Sequence, residues 1–444
     1  MPEVSISNLS WGGQGIGRID GKVVFVPFVL PGEVVDIELV HSKKNYSLGN
    51  LIRILDPSPD RIEPPCSFYP ACGGCQLQHL APHKQVQQKE QLFRQAMEHT
   101  LKTKELNLEP TLISPSAYGY RHRLHLKTFF KNNVLHIGFF GAKSHDLVPV
   151  DHCLLANGVV NETLGVLKEK IRTLGVDQWS PEIDLQGFDS PLERGIVFSS
   201  PKKLPRSQRK KITEALLADL DLKYLLFRGP NHISLSGEHP FIPEEDSPGF
   251  SLPASETGLQ QDLRISCFPL VFTQVNLALN RLLIAHLLKQ DLFNSRDTIL
   301  DLYCGLGNFT LPAALRVREV VGLEAFPLAV ANARWNQKIN RISNCSFIQT
   351  KAESGVRQSH LHHLPISLVI LDPPRSGARE IIPWLDAWDL NRILYFSCDP
   401  MTLFRDLFML AARGWKVEWS KPIDFFPQTF HLESVTFLKK QITN

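Results

Sequence analysis

From about residue 268 to the C terminus, apolar strand-like segments alternate with stretches of helical periodicity: TILDLYC, VVGLEAF, SLVILDPP and RILYFSCDP, then WKVEWS and SVTFLKK. This rhythm predicts a doubly wound, mostly parallel α/β sheet over residues 266–444, since parallel neighbours need a crossover long enough to hold a helix. Ligands of such sheets bind beyond the carboxyl ends of the strands. The residues that close each strand are therefore the first candidates for chemistry.

In DLYCGLGNFTL, Gly305 and Gly307 fall between a strand and a helix, where backbone approaches a ligand closely. Glu324 ends the next strand, 23 residues after Asp301, and a carboxylate there can hold two ribose hydroxyls. That spacing also suits a nicotinamide dinucleotide, but the third glycine of its fingerprint is Thr310 here. Asp372 ends a third strand, ahead of two prolines that stiffen the loop; a turn or helix-cap role is the alternative. Cys398 follows the strand RILYFS and precedes Asp399-Pro400, so it joins the same edge as a candidate nucleophile. The alternative is the ordinary fate of a buried cysteine, a small hydrophobe. Glu433, just ahead of the apolar run SVTFL, is the candidate general base, with His431 as a substitute.

Residues 1–57 carry the alternating segments KVVFVPFVL and EVVDIELV, separated by GGQGIGRIDG and PGE, which predicts a small all-β barrel. Barrels of this kind often bind RNA. This segment holds more acidic than basic residues, so a purely structural module fits as well. LDPSPDRIEPPC reads as a linker.

Residues 58–265 are mixed α+β, with a helix expected over HKQVQQKEQLFRQAMEHTL and strands over YRHRLHLKTFF and VLHIGFFG. Alternation in the first strand puts Arg121, Arg123 and His125 on one face and Tyr120, His122 and Leu124 on the other, a pairing of basic and aromatic groups that suits RNA. PKKLPRSQRKK at 201–211 holds six basic residues in eleven, a solvated surface or a phosphate contact.

At 444 residues the chain calls for two or three domains. A net charge of +3 excludes a uniformly basic coat, so any RNA contact is local. No run approaches the roughly 18 apolar residues of a membrane span, and the start lacks a secretory pattern; a cytoplasmic location is expected. Eight cysteines, three of them between 66 and 75, point to metal or catalysis rather than disulfides. Four thiolates would suit structural zinc as well as an iron–sulfur cluster, and spacing does not separate the two.

The motifs FTQVN at 272–276, DLYCGLGNFTLP at 301–312, LDPPRSG at 371–377, YFSCDPMTLFRD at 395–406 and FPQTFHLE at 426–433 resemble those of the bacterial RNA (uracil-5) methyltransferases. The likeness is strongest to the 23S rRNA 5-methyluridine enzymes with an N-terminal TRAM domain and an iron–sulfur cluster. It implies a class I methyltransferase sheet at 266–444, a TRAM/OB-like barrel at 1–57 and a cluster-bearing, RNA-contacting domain at 58–265. It also implies a methyl transfer from S-adenosylmethionine to carbon 5 of a uridine, with Cys398 as nucleophile and Glu433 as base. Gln274, Tyr303, Asn308, Glu324 and Asp372 would contact S-adenosylmethionine; where some relatives have a further asparagine, this chain has Lys351. Cys66, Cys72, Cys75 and Cys153 would hold a [4Fe-4S] cluster. The expected partner is RNA, 23S rRNA ahead of transfer RNA, with no DNA, and the protein is expected to be a monomer.

Three rival readings are weaker. A radical methylthiotransferase of transfer RNA needs three close cysteines that leave one iron open, unlike C-x5-C-x2-C with a distant fourth. An amino-group methyltransferase has no use for Cys398. An RNA-binding assembly factor that had lost its chemistry would not need both Cys398 and Glu433.

Overall fold

The computed structural model describes residues 2–441, apart from 104, 132–133, 174–180, 190–191, 203, 230–231 and 236–246. Lys203 of the basic run is thus outside the described residues. Six strands between Glu3 and Asp56 form the N-terminal sheet. The stretch 3–9 closes it, pairing first with Val34–Ser42 and then with Gly15–Ile19, so the sheet has no free edge there. Val4, Val24, Val26, Val35 and Ile37 fill the interior.

GGQGIGRIDG proves to be more than a separator, because Gly15–Ile19 is itself a strand. The reason is space: a Cβ on Gly17 would lie 2.2 Å from Val4 Cγ1. The expected linker is fastened to the barrel, with Arg61 Nε bonded to buried Glu33 at 2.5 Å and Arg61 Nη2 to Phe28 O at 2.9 Å.

The central sheet has seven strands, backed by the helices Gly158–Thr173 and Arg206–Leu217. Leu164, Leu167, Ile212 and Leu216 of those helices pack on Leu124, Leu126, Ile183 and Leu185.

The C-terminal sheet contains β1 (Thr298–Leu302), β2 (Glu319–Glu324), β3 (Cys345–Gln349), β4 (Ile366–Leu371), β5 (Arg392–Ser397), β6 (Trp415–Asp424) and β7 (Glu433–Lys440). Its order is β3-β2-β1-β4-β5-β7-β6, parallel except for β7, which runs antiparallel to both neighbours. The predicted doubly wound sheet is present, with its order reversing at β1.

Elements from before the expected boundary at 265/266 share this core. Helix Pro82–Leu101 sends Phe93 and Met97 into one face, Leu112–Ile113 adds a parallel strand beside β6, and the hairpin Gly249–Leu252/Leu263–Ser266 packs on the other face. Helix Leu277–Lys289, capped by the Asn276 side chain on Leu279 N–H, lies on that second face. Among the described residues no helix is long and apolar enough to cross a membrane.

Candidate active site and cysteine cavity

The strand ends of β1, β2, β4 and β5 meet at one edge, as the alternation requires. At the end of β1, Asp301 is buried; one carboxylate oxygen accepts from Thr310 Oγ1 and the other, Oδ1, has no partner in the protein. Burial pushes its carboxyl up to about 7, and the Asp372 and Glu324 charges add to the effect. Gly305 sits at φ +56° with open space where a side chain would be, so the backbone is bare toward the site.

Glu324 braces that loop, accepting Gly305 N–H at 3.2 Å and Phe326 N–H at 2.7 Å. Tyr303, at φ +69°, donates its hydroxyl to Glu353 at 2.5 Å, and Asn308 exchanges amide bonds with Asn280 at 2.8 and 3.0 Å. Gln274 is half-buried next to exposed Phe272. Lys351 is exposed ahead of the short helix Ala352–Gly355.

An unpartnered buried oxygen on Asp301, a bare glycine turn and a ring of strand-end carboxylates fit a cationic, ribose-bearing ligand. Sequence reasoning used Asp301 only as a counting origin; its place as the last charged residue inside β1 was the available signal.

Cys398 and Glu433 are brought together by strand register. Ser397 pairs with Ser434 across β5 and β7, so Cys398 and Glu433 each lie one residue beyond that pair, with Glu433 itself in register with Ile423 of β6. Burial pushes the Cys398 thiol up to about 11, helped by the Glu433 and Asp372 charges and opposed by Arg375. Burial raises Glu433 to about 8, with Asp372 adding and Arg375 opposing. Burial alone raises Asp372 to about 7.

His431 is driven the other way, down to about 4 by burial and by Arg375, which leaves it neutral and a weak base near pH 7. Arg375 is the second residue that sequence reasoning passed over, although it stands inside LDPPRSG. The Asp399 carboxylate is engaged elsewhere, capping helix Pro400–Ala411 by accepting from Met401 N–H at 2.9 Å and Thr402 N–H at 3.1 Å.

Cys66, Cys72, Cys75 and Cys153 line one cavity of about 190 Å³, shared with Arg121. Among the described residues no three His, Cys, Asp or Glu converge closely enough to hold a single metal ion. Burial raises the thiols of Cys72, Cys75 and Cys153, Cys75 to about 12. The ionisable groups that Arg121 faces are Tyr120, Cys153 and Cys75, not a carboxylate, and its buried Nε has no partner.

The basic strand face has the predicted alternation but not the predicted freedom. Arg123 pairs with Asp184 at 3.1 Å, His125 reaches Asp184 and Glu182 at 3.3 and 3.2 Å, and Lys127 pairs with Glu182. Acids on the neighbouring strand Glu182–Asp189 neutralise the row. A single strand's pattern cannot reveal its neighbour's charges.

Residues 263–441 match the family model tRNA (Uracil-5-)-methyltransferase, and residues 2–52 match the TRAM domain. Over its whole length the chain is similar to the 23S rRNA (uracil(1939)-C(5))-methyltransferase RlmD of Vibrio cholerae, at 33% identity across 98% of this chain and 96% of that protein. The Legionella pneumophila enzyme of the same name is 32% identical with the same coverage. Among solved structures, the Pyrococcus abyssi tRNA (uracil-54, C5)-methyltransferase in complex with S-adenosyl-L-homocysteine superposes with a TM-score of 0.72 over 98% of this chain and all of that one, at 23% identity. The barrel, the sheet and full-length similarity above 30% agree: the chain belongs to the RNA uracil-5 methyltransferase family that carries a TRAM domain, and it is an S-adenosylmethionine-dependent enzyme.

Proposed function

We propose that this enzyme methylates carbon 5 of a uridine in 23S rRNA through a covalent adduct on Cys398. The observation that carries the route is that Cys398 and Glu433 each lie one residue beyond the Ser397–Ser434 pair at the sheet edge, where the Glu433 and Asp372 charges both act on the Cys398 thiol. Full-length similarity to 23S rRNA enzymes supports the RNA address.

Carbon 5 of uracil is too electron-poor to attack a methyl donor unaided. Cys398 adds as thiolate to carbon 6, forming a C–S bond and moving electron density to carbon 5 as an enolate. S-adenosylmethionine, when bound, supplies the methyl group that carbon 5 takes. Glu433 then accepts the carbon 5 proton, the C–H electrons become the C5–C6 double bond, and the C–S pair returns to Cys398. Burial and the Asp372 charge raise the proton affinity of Glu433, which makes its carboxylate a stronger base than an exposed one. Arg375, which opposes the raised pKa of both groups, favours the thiolate. Asp301, Glu324 and Asp372, with Gln274, Tyr303 and Asn308, would hold the donor.

Cys66, Cys72, Cys75 and Cys153 would hold a [4Fe-4S] cluster. The four thiols line one cavity, and a cube takes one thiolate at each of its four irons. The buried Arg121 guanidinium facing the thiols fits an anionic cluster. With four protein ligands no iron would be left open for substrate, so the cluster would serve a structural or RNA-positioning role.

Incubating the purified enzyme with labelled S-adenosylmethionine and, in parallel reactions, unmodified 23S rRNA or unmodified transfer RNA, then mapping 5-methyluridine, tests the address. Label appearing only in transfer RNA would refute it.

A further inference from the structure

The loop that delivers Glu433 is held mainly from outside the sheet it serves. Between Asp424, the last residue of β6, and Glu433, the first of β7, Gln428 adopts φ +71°, a backbone region that residues with side chains rarely occupy. Gln85, on helix Pro82–Leu101, fastens it twice. Its Oε1 accepts Gln428 N–H at 2.9 Å, and its Nε2 donates to Gln428 Oε1 at 2.9 Å and to Leu80 O at 2.8 Å.

The carbonyl of Gln428 accepts the N–H groups of Gln76 and Leu77 at 3.1 and 3.0 Å, directly after Cys75. One turn along the same helix, Lys89 Nζ donates to Asp424 at 2.7 Å and to Phe426 O at 3.1 Å. Both glutamines are buried, 1% and 0% exposed, and Gln428 Nε2 has no partner. A loop needed only for packing would do better with apolar side chains, since a buried amide left partly unpaired is costly. The fastening acts on backbone conformation five residues before the base.

We propose that Gln85 is a positioning residue for Glu433: its clasp on Gln428 fixes the loop conformation that aims the carboxylate at the carbon 5 proton. The proposal rests on the reading of Glu433 as the base. Addition and methyl transfer use Cys398 and the donor site on other strand ends. Only the last step, in which Glu433 takes the proton and the C–S bond breaks, needs this loop. Loss of the clasp therefore slows elimination and leaves the earlier steps alone.

The test uses the full chain with its cysteine site loaded, unmodified 23S rRNA transcript and methyl-labelled S-adenosylmethionine. Gln85→Met keeps side-chain volume and removes both contacts to Gln428, together with those to Leu77 O and Leu80 O. It is expected to lower turnover at least tenfold, to form labelled adduct in a single turnover at the wild-type rate, and to retain that adduct on a denaturing gel. Affinity for S-adenosylhomocysteine is expected to stay within twofold of wild type. Gln428→Ala, which removes the other half of the side-chain pair, is expected to accumulate the same adduct and stands in if Gln85→Met is not recovered folded.

Glu433→Gln runs alongside. If it traps no adduct, the base assignment fails. If Glu433→Gln traps adduct while the Gln85 and Gln428 variants turn over normally, the clasp proposal is overturned. It is equally overturned if those variants lose adduct formation, cofactor affinity and turnover together, since that is the signature of general unfolding.

Discussion

Cys398 and Glu433 stand 35 positions apart in sequence, yet each lies one step beyond the last partnered residues, Ser397 and Ser434, of two antiparallel strands. The antiparallel pairing thus brings the candidate nucleophile and the candidate base to one edge of the sheet. The reversal of β7 against an otherwise parallel sheet makes this possible. Only an antiparallel neighbour enters the sheet at the edge where β5 leaves it.

Replacing Cys398 by Ala is expected to abolish methyl transfer while cofactor affinity, read by calorimetry with S-adenosylhomocysteine, stays near wild type. Turnover within tenfold of wild type would rule out the covalent route.

Glu433→Gln is expected to lower turnover by roughly 10²–10⁴-fold, the usual weight of a general base, and to leave a slow-migrating protein–RNA species on a denaturing gel. A clean gel with substrate RNA present would count against the role.

The same substitution is expected to stabilise the fold in a pH-dependent way. Glu433 is raised from its ordinary 4.5 to about 8, so the folded state holds a proton that the unfolded state releases in this window. Stability from this group is fully present below about 4.5 and is lost as pH rises through about 8. The stability of Glu433→Gln relative to wild type, followed through its melting temperature, is thus expected to be unchanged at low pH and to increase progressively from pH 5 to 8, by on the order of a few kcal/mol. A difference constant with pH would contradict the buried placement.

Arg121→Met is expected to lower iron bound per chain and the visible absorbance of anaerobically purified protein, because the buried thiolate cluster would lose its neighbouring cation. Equal iron content in both proteins would show that the charge of Arg121 is not matched to the cysteine site.

Gly17→Ala is expected to destabilise the N-terminal barrel by about 1–3 kcal/mol, the usual cost of overpacking, because its Cβ would meet Val4 Cγ1 at 2.2 Å. Denaturant melts followed by near-ultraviolet circular dichroism would measure it. An unchanged midpoint would mean the barrel relaxes freely there.

Periodicity in the sequence determined the doubly wound sheet, since alternating apolar strands and amphipathic helices have few other ways to bury their faces. It also determined which residues end the strands, and hence Glu324, Asp372 and Cys398 as candidates. The glycines of GGQGIGRIDG misled, because a glycine needed for close packing looks the same in sequence as one needed for a turn.

Tertiary structure alone decided what depends on neighbours distant in the chain. The acids of Glu182–Asp189 cancel the basic face of Arg123 and His125, and Gln85 reaches Gln428 across 343 positions. Helix Pro82–Leu101 joins the methyltransferase core through Phe93 and Met97 rather than staying with the segment around it. Strand register decided that Cys398 and Glu433 lie at the same edge of the sheet. Local pattern records which face a residue turns, whereas charge pairing, burial and register are set by whichever strand folds in beside it.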